Sequence, residues 1–259
     1  MIGLFDSGLG GLTVVRRVRA LLPAHDLLFF ADQAHVPYGE RDEDDLRRLL
    51  QVNLSWLDAQ GVDAIAMACN TTCAVAALGG WPPCEAVVLD LIESAAIALS
   101  DAEFLRIGVL ATSATVRSGA YGETIRRRVA GAQVFEVAAP ALVPIVEAGQ
   151  ADGERARAAV AEACAQLPER LDAVVLACTH YPLLDAHFAA VLGPEVARVD
   201  PAFEQAGRTA ALVAARSFPA GSGRTRCVTN GPDVAAFRRV VTEVLGEASV
   251  EVIGVSAVT

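Results

Sequence analysis

Val62-Asp63-Ala64-Ile65-Ala66-Met67-Ala68-Cys69-Asn70-Thr71 nearly repeats as Leu171-Asp172-Ala173-Val174-Val175-Leu176-Ala177-Cys178-Thr179-His180. After its aspartate, each run is apolar over strand length, then breaks into a cysteine and small polar residues. A short apolar run without alternation is the pattern of a strand covered on both faces, as in a parallel sheet. Each run therefore predicts a buried strand that delivers one thiol at its C-terminal end. Ligands of open α/β sheets bind at those ends. Two thiols placed this way around one cleft point to chemistry run from opposite sides.

The repeat extends further. Arg106–Ala111 (RIGVLA) resembles Met1–Asp6 (MIGLFD), with Ile107 lying 105 residues after Ile2; Cys178 follows Cys69 by 109. Strand-like and helix-like stretches alternate: strand Ile2–Phe5, helix near Leu12–Leu22, strand Asp26–Ala31, amphipathic helix Glu43–Gln60, strand Asp63–Ala68, a short strand Val87–Leu89 and a helix near Glu93–Leu99. Alternation of this kind predicts parallel sheets with right-handed crossovers. The expected fold is α/β, with two tandem pseudo-symmetric domains, helices flanking each sheet, and the site in the cleft between them. The first boundary is placed at Ala96–Phe104. Beyond Asp200, a helix over Phe203–Phe218, the turn Gly221-Ser222-Gly223, a short strand and a helix over Val234–Leu245 have no counterpart in the repeat. They are expected to complete the first unit, giving a division into 1–96 plus about 205–259, and 97–204.

A chain of 259 residues that is 53% hydrophobic can bury a substantial core. Its net charge of −10 disfavours nucleic acid or an anionic membrane as the main partner. No apolar run reaches membrane-spanning length, and the N-terminus lacks the basic and apolar regions of a signal peptide. A soluble, cytoplasmic protein is expected, and the six cysteines are then free thiols rather than a disulfide framework. All 21 basic residues are arginine. Without lysine there is no Schiff base to pyridoxal phosphate and no Walker A loop.

Asp6-Ser7-Gly8-Leu9-Gly10-Gly11 follows the first strand and opens a helix. Its glycines permit close backbone approach, and N–H groups at a helix start favour an anion. A dinucleotide fingerprint would need glycine where Thr13 stands. Cys69 and Cys178 also precede helix-like segments, a position expected to favour thiolate. Asn70, Thr71 and the neighbouring backbone donors suit a carboxylate. His180 could tune Cys178 or carry a proton; a plain hydrogen-bonded histidine is the alternative. Zinc bound by Cys69, Cys73, Cys178 and His180 is a rival reading, weakened by the absence of a C-x₂-C knuckle. No C-x-x-C redox motif occurs.

Taken together, Asp6–Gly11, Val36-Pro37-Tyr38-Gly39, Cys69-Asn70-Thr71 and Cys178-Thr179-His180-Tyr181-Pro182-Leu183-Leu184 resemble the glutamate racemases of the cofactor-independent aspartate/glutamate racemase superfamily. Ala111–Tyr121 (ATSATVRSGAY) and Val143–Gly149 (VPIVEAG) are similar too. The resemblance runs from residue 2 to about 200. It implies two α/β domains facing across a cleft, glutamate as substrate, and no cofactor or metal. It implies that Cys69 takes the α-proton from D-glutamate, assisted by Asp6. Cys178 would take it from L-glutamate, assisted by Glu147 and His180. Ser7, Tyr38, Gly39, Asn70, Thr71, Thr112, Thr115 and Thr179 would bind substrate. The product would serve peptidoglycan synthesis. The chain departs from the pattern at Gln33, where a small hydroxyl residue is common, at Thr72-Cys73 and at Pro201. An aspartate racemase or another racemase of the superfamily, and a non-catalytic glutamate-binding regulator, stay open as alternatives, as does assembly into a homodimer.

Overall fold

The computed structural model describes residues 1–246 and 250–257. The strands are β1 (Ile2–Asp6), β2 (Leu27–Ala31), β3 (Ala64–Met67), β4 (Val87–Leu89), β5 (Arg106–Ala111), β6 (Gln133–Ala138), β7 (Ala173–Ala177), β8 (Ala197–Val199), β9 (Thr225–Thr229) and β10 (Val250–Gly254). Between them lie the helices α1 (Leu12–Leu21), α2 (Glu43–Ala59), α3 (Asn70–Gly79), α4 (Leu91–Asp101), α5 (Ser113–Ser118), α6 (Ala120–Arg128), α7 (Leu142–Glu147), α8 (Glu154–Cys164), α9 (Asp185–Leu192), α10 (Pro201–Arg216) and α11 (Val234–Leu245).

The strands form two sheets, ordered β10-β9-β2-β1-β3-β4 and β6-β5-β7-β8. The strand pairs are parallel. The order β2-β1-β3-β4 recurs as β6-β5-β7-β8, so the two cysteine strands β3 and β7 occupy equivalent central places. The repeat read from the sequence is thus a repeat of topology. The C-terminal stretch adds β9 and β10 to the edge of the first sheet, with Leu27 of β2 opposite Thr225 of β9. Residues 247–249 and 258–259 of the expected first unit lie outside the described residues.

Why the central strands read as continuous apolar runs is visible in their packing. In β1, Leu4 faces a core built with α1, α10 and α11, while Phe5 faces a second core built with α2, α3 and α4. That second core continues without a break into the other sheet, through Tyr121 and Ile125 of α6 to Ile107, Val109, Val175 and Ala177. A third core covers the far side of β5 and β7 with α7, α8 and α9. Helix α10 begins at Pro201, two residues before the expected start, with Asp200 accepting from Ala202 N–H as its cap. Proline suits the first turn because no N–H is needed there, which accounts for Pro201.

Candidate active site

The C-terminal ends of β1, β3, β5 and β7 converge on one cavity of about 200 Å³. Its lining includes Asp6, Ser7, Tyr38, Gly39, Cys69, Asn70, Thr71, Thr112, Glu147, Cys178, Thr179 and His180. Thr115 stands just behind it, with its hydroxyl 3.0 Å from that of Thr112 and 3.4 Å from that of Thr71. Gly8, Val36, Pro37, Glu40, Ser113, Pro140, Val143 and Pro144 also line it. Of these, Glu40, Ser113 and the apolar rim Pro140, Val143 and Pro144 are not among the site residues expected from the sequence. Ser113, Pro140, Val143 and Pro144 follow β5 and β6, at the same sheet end as Cys178.

Cys69 follows β3 and caps the N-terminus of α3, while Thr72 Oγ1 donates to its carbonyl at 2.9 Å. The thiol lies 3.7 Å from Ser7 Oγ and is buried. Burial, with the charge of Asp6 added, pushes its pKa up to about 12, although Thr72 and Ser7 act in the opposite sense. The expectation that a helix start favours thiolate therefore fails at Cys69, because desolvation outweighs it. Asp6 itself is almost fully buried, and burial raises its pKa against the opposing influence of His180 and of the Gly11, Gly8 and Ser7 amides. Gly11 N–H donates to Asp6 Oδ2 at 2.7 Å. The anion favoured by the glycine loop is in part the protein's own carboxylate.

Gly10 is required by close approach: a β-carbon there would lie 2.3 Å from Thr179 Oγ1. The first unit's glycine loop thus packs directly on the second unit's cysteine turn.

Cys178 follows β7, but the chain then makes a turn and a short 3-10 segment, Tyr181–Leu184, before α9. No α-helix starts at this thiol, another departure from the sequence expectation. Its partner is His180, with Nδ1 3.6 Å from Sγ. On the other edge of the ring, Nε2 stands 3.3 Å from Glu147 Oε1, an ion-pair contact lacking hydrogen-bond alignment. Burial lowers the His180 pKa, but Cys178, Glu147 and Asp6 prevail and bring it up to about 10. At neutral pH the imidazole is protonated beside Cys178.

Asn70 accepts from Tyr121 Oη of the second unit. Thr71 and Thr112 hydroxyls meet across the two units at 3.1 Å. Among the described residues, no group of three or more histidine, cysteine, aspartate or glutamate side chains is arranged to hold a metal ion.

The Asp/Glu/Hydantoin racemase family model matches residues 12–206. The chain belongs to that family. It is accordingly an isomerase acting on an amino acid. A glutamate racemase from Desulforudis audaxviator is 45% identical over 203 residues, covering 78% of this chain and 74% of that one. The crystal structure of the Thermus thermophilus glutamate racemase with β-chloro-D-alanine is similar at a TM-score of 0.84 and 38% identity, covering 98% of this chain and 96% of that one. The Francisella tularensis glutamate racemase, solved with D-glutamate, has a TM-score of 0.87 at 27% identity, covering 99% and 97%. No helix among the described residues is long and apolar enough to cross a membrane.

Proposed function

We propose that this enzyme interconverts L- and D-glutamate by proton transfer between two thiols, without a cofactor. The observation that carries the reading is one cavity lined by Cys69 and Cys178, each at the end of an equivalent central strand. In this reading Cys178, as thiolate beside the His180 imidazolium, takes the α-proton of L-glutamate. The electron pair moves into the α-carboxylate, whose charge is met by hydroxyls and amides around Ser7, Asn70, Thr71 and Thr179. Cys69 returns its own proton to the opposite face, forming D-glutamate. The turnover leaves Cys178 as thiol and Cys69 as thiolate, the state from which D-glutamate is deprotonated in the reverse direction, with Asp6 beside Cys69 to assist it. Tyr38, Gly39, Thr112 and Thr115 shape the substrate end of the cavity, and Glu147 holds the charge on His180. Family membership and the glutamate racemases matched over most of the chain support glutamate over aspartate as substrate. The role proposed for this reaction is the cytoplasmic supply of D-glutamate for peptidoglycan. We further propose the domain division 1–96 plus about 205–259, and 97–204.

The test is incubation of the pure enzyme with L-glutamate in D₂O. Loss of circular dichroism together with α-deuterium incorporation is expected. Retention of both the optical signal and the α-proton would overturn the reading, and a parallel run with L-aspartate would expose a different substrate.

A further inference from the structure

The hydroxyl of Tyr38, a residue that lines the cavity, is engaged behind the active-site loop. It donates to Asp32 Oδ2 and accepts from Asn53 Nδ2 at 3.0 Å. Asp32 is fully buried, and its carboxylate is a hub. Asn53 of α2 donates to one oxygen at 3.1 Å. His35 Nδ1 lies 2.7 Å from the other, and Asn230 Nδ2 donates to it at 2.5 Å. A carboxylate taken out of water needs this many donors to be tolerated. Asp32 N–H in turn donates to the carbonyl of Asp6 at 3.1 Å.

Asn230 comes just after β9, the stretch with no counterpart in the repeat. Its amide works in both directions: Nδ2 donates to Asp32, and Oδ1 accepts from Ala34 N–H at 2.9 Å. Thr229 Oγ1 adds a bond of 2.8 Å to Gln33 Oε1. Gln33, a departure from the resemblance pattern, thus has a partner in the same tail. Loop 33–40 carries Val36, Pro37, Tyr38 and Gly39 to the cavity and is fastened from behind at these points.

We propose that Asp32 and Asn230 are positioning residues for the reaction: the buried carboxylate and the C-terminal amide together clamp loop 33–40 in its substrate-binding conformation. Neither residue lines the cavity, and neither transfers a proton. Their effect falls on how the substrate is gripped. The proposal rests on the racemase reading for its kinetic test, but the clamp can also be read without turnover.

The experiment compares wild type with Asp32→Asn, Asn230→Ala and the double variant. Kinetics on L- and D-glutamate are paired with amide hydrogen exchange of the free protein. Each single variant should raise KM about tenfold in both directions, with kcat falling much less. The double variant should do little more, because both side chains act on one loop. Exchange should quicken at Ala34 and His35 while β1 and β3 stay protected. A partly unfolded preparation lowers apparent kcat and leaves KM alone, so it cannot imitate this pattern. Unchanged KM in an active wild-type background, or unchanged exchange at residues 33–40, would overturn the clamp. A wild type that fails to racemise glutamate would overturn the functional reading instead, leaving the exchange comparison to decide the clamp.

Discussion

The Cys69 side and the Cys178 side share a strand order and a thiol position, yet their electrostatics oppose one another. Cys69 caps a true helix, is buried, and has the acid Asp6 for its neighbour, so it is held in the thiol form. Cys178 opens a turn and faces His180, which is held protonated. Equivalent backbones thus place one thiol beside a buried carboxyl and the other beside an imidazole. Backbone repetition sets where the two thiols stand; the residues added around them set what each thiol faces.

The largest test of this contrast removes each thiol. Cys69→Ser and Cys178→Ser should each lower kcat by about three to four orders of magnitude. A variant of either that stayed near wild-type activity would remove that side from the reaction. Next comes the pH dependence of stability. The His180 pKa stands above its ordinary 6.5, at about 10. Its contribution to folding is therefore complete below about pH 6.5 and is lost as pH rises towards 10. The stability gap between wild type and His180→Asn, from urea melts, should shrink over that window. A constant gap would mean that His180 does not carry the charge.

Asp6→Asn and His180→Asn should sharpen the contrast at about a hundredfold cost in kcat/KM. Because L- and D-glutamate have equal free energy, each variant must lose the same factor in both directions. The sides should separate in isotope effects. The α-deuterium effect should grow with D-glutamate for Asp6→Asn and with L-glutamate for His180→Asn. The same preference in both variants would merge the two sides. The smallest expected effect is Gly10→Ala, which drives a methyl into Thr179 and should cost about 1–3 kcal/mol in a denaturant melt.

Most of the fold was legible because its central strands are buried on both faces, as Ile2–Asp6 and Ala173–Ala177 are. The strands that escaped notice are edge strands or short ones. In β6 the run Gln133–Ala138 includes Glu136 and is mostly half-buried, β8 has only three residues, and β10 carries the exposed Glu251. Such segments lie at sheet edges, where both faces are only partly covered, so polar residues interrupt the apolar signature. At the site, the two cysteines announced themselves through the repeat, whereas Glu147 entered only through the resemblance and its contact with His180 only through the fold. The Asp32–Asn230 bond was illegible: its partners are 198 residues apart, and neither side chain type marks the other.

The placement of β9 beside β2 has a consequence for synthesis on the ribosome. The second unit, with β5 to β8, has emerged in full before Thr225–Thr229 exists to pair with Leu27–Ala31. Until then the growing chain carries an unpaired strand edge, the kind of surface that invites association with other chains. Loop 33–40 likewise waits for Asn230 before its bond to Ala34 can form. Residues 225–254 therefore extend a sheet laid down by strands within residues 2–89.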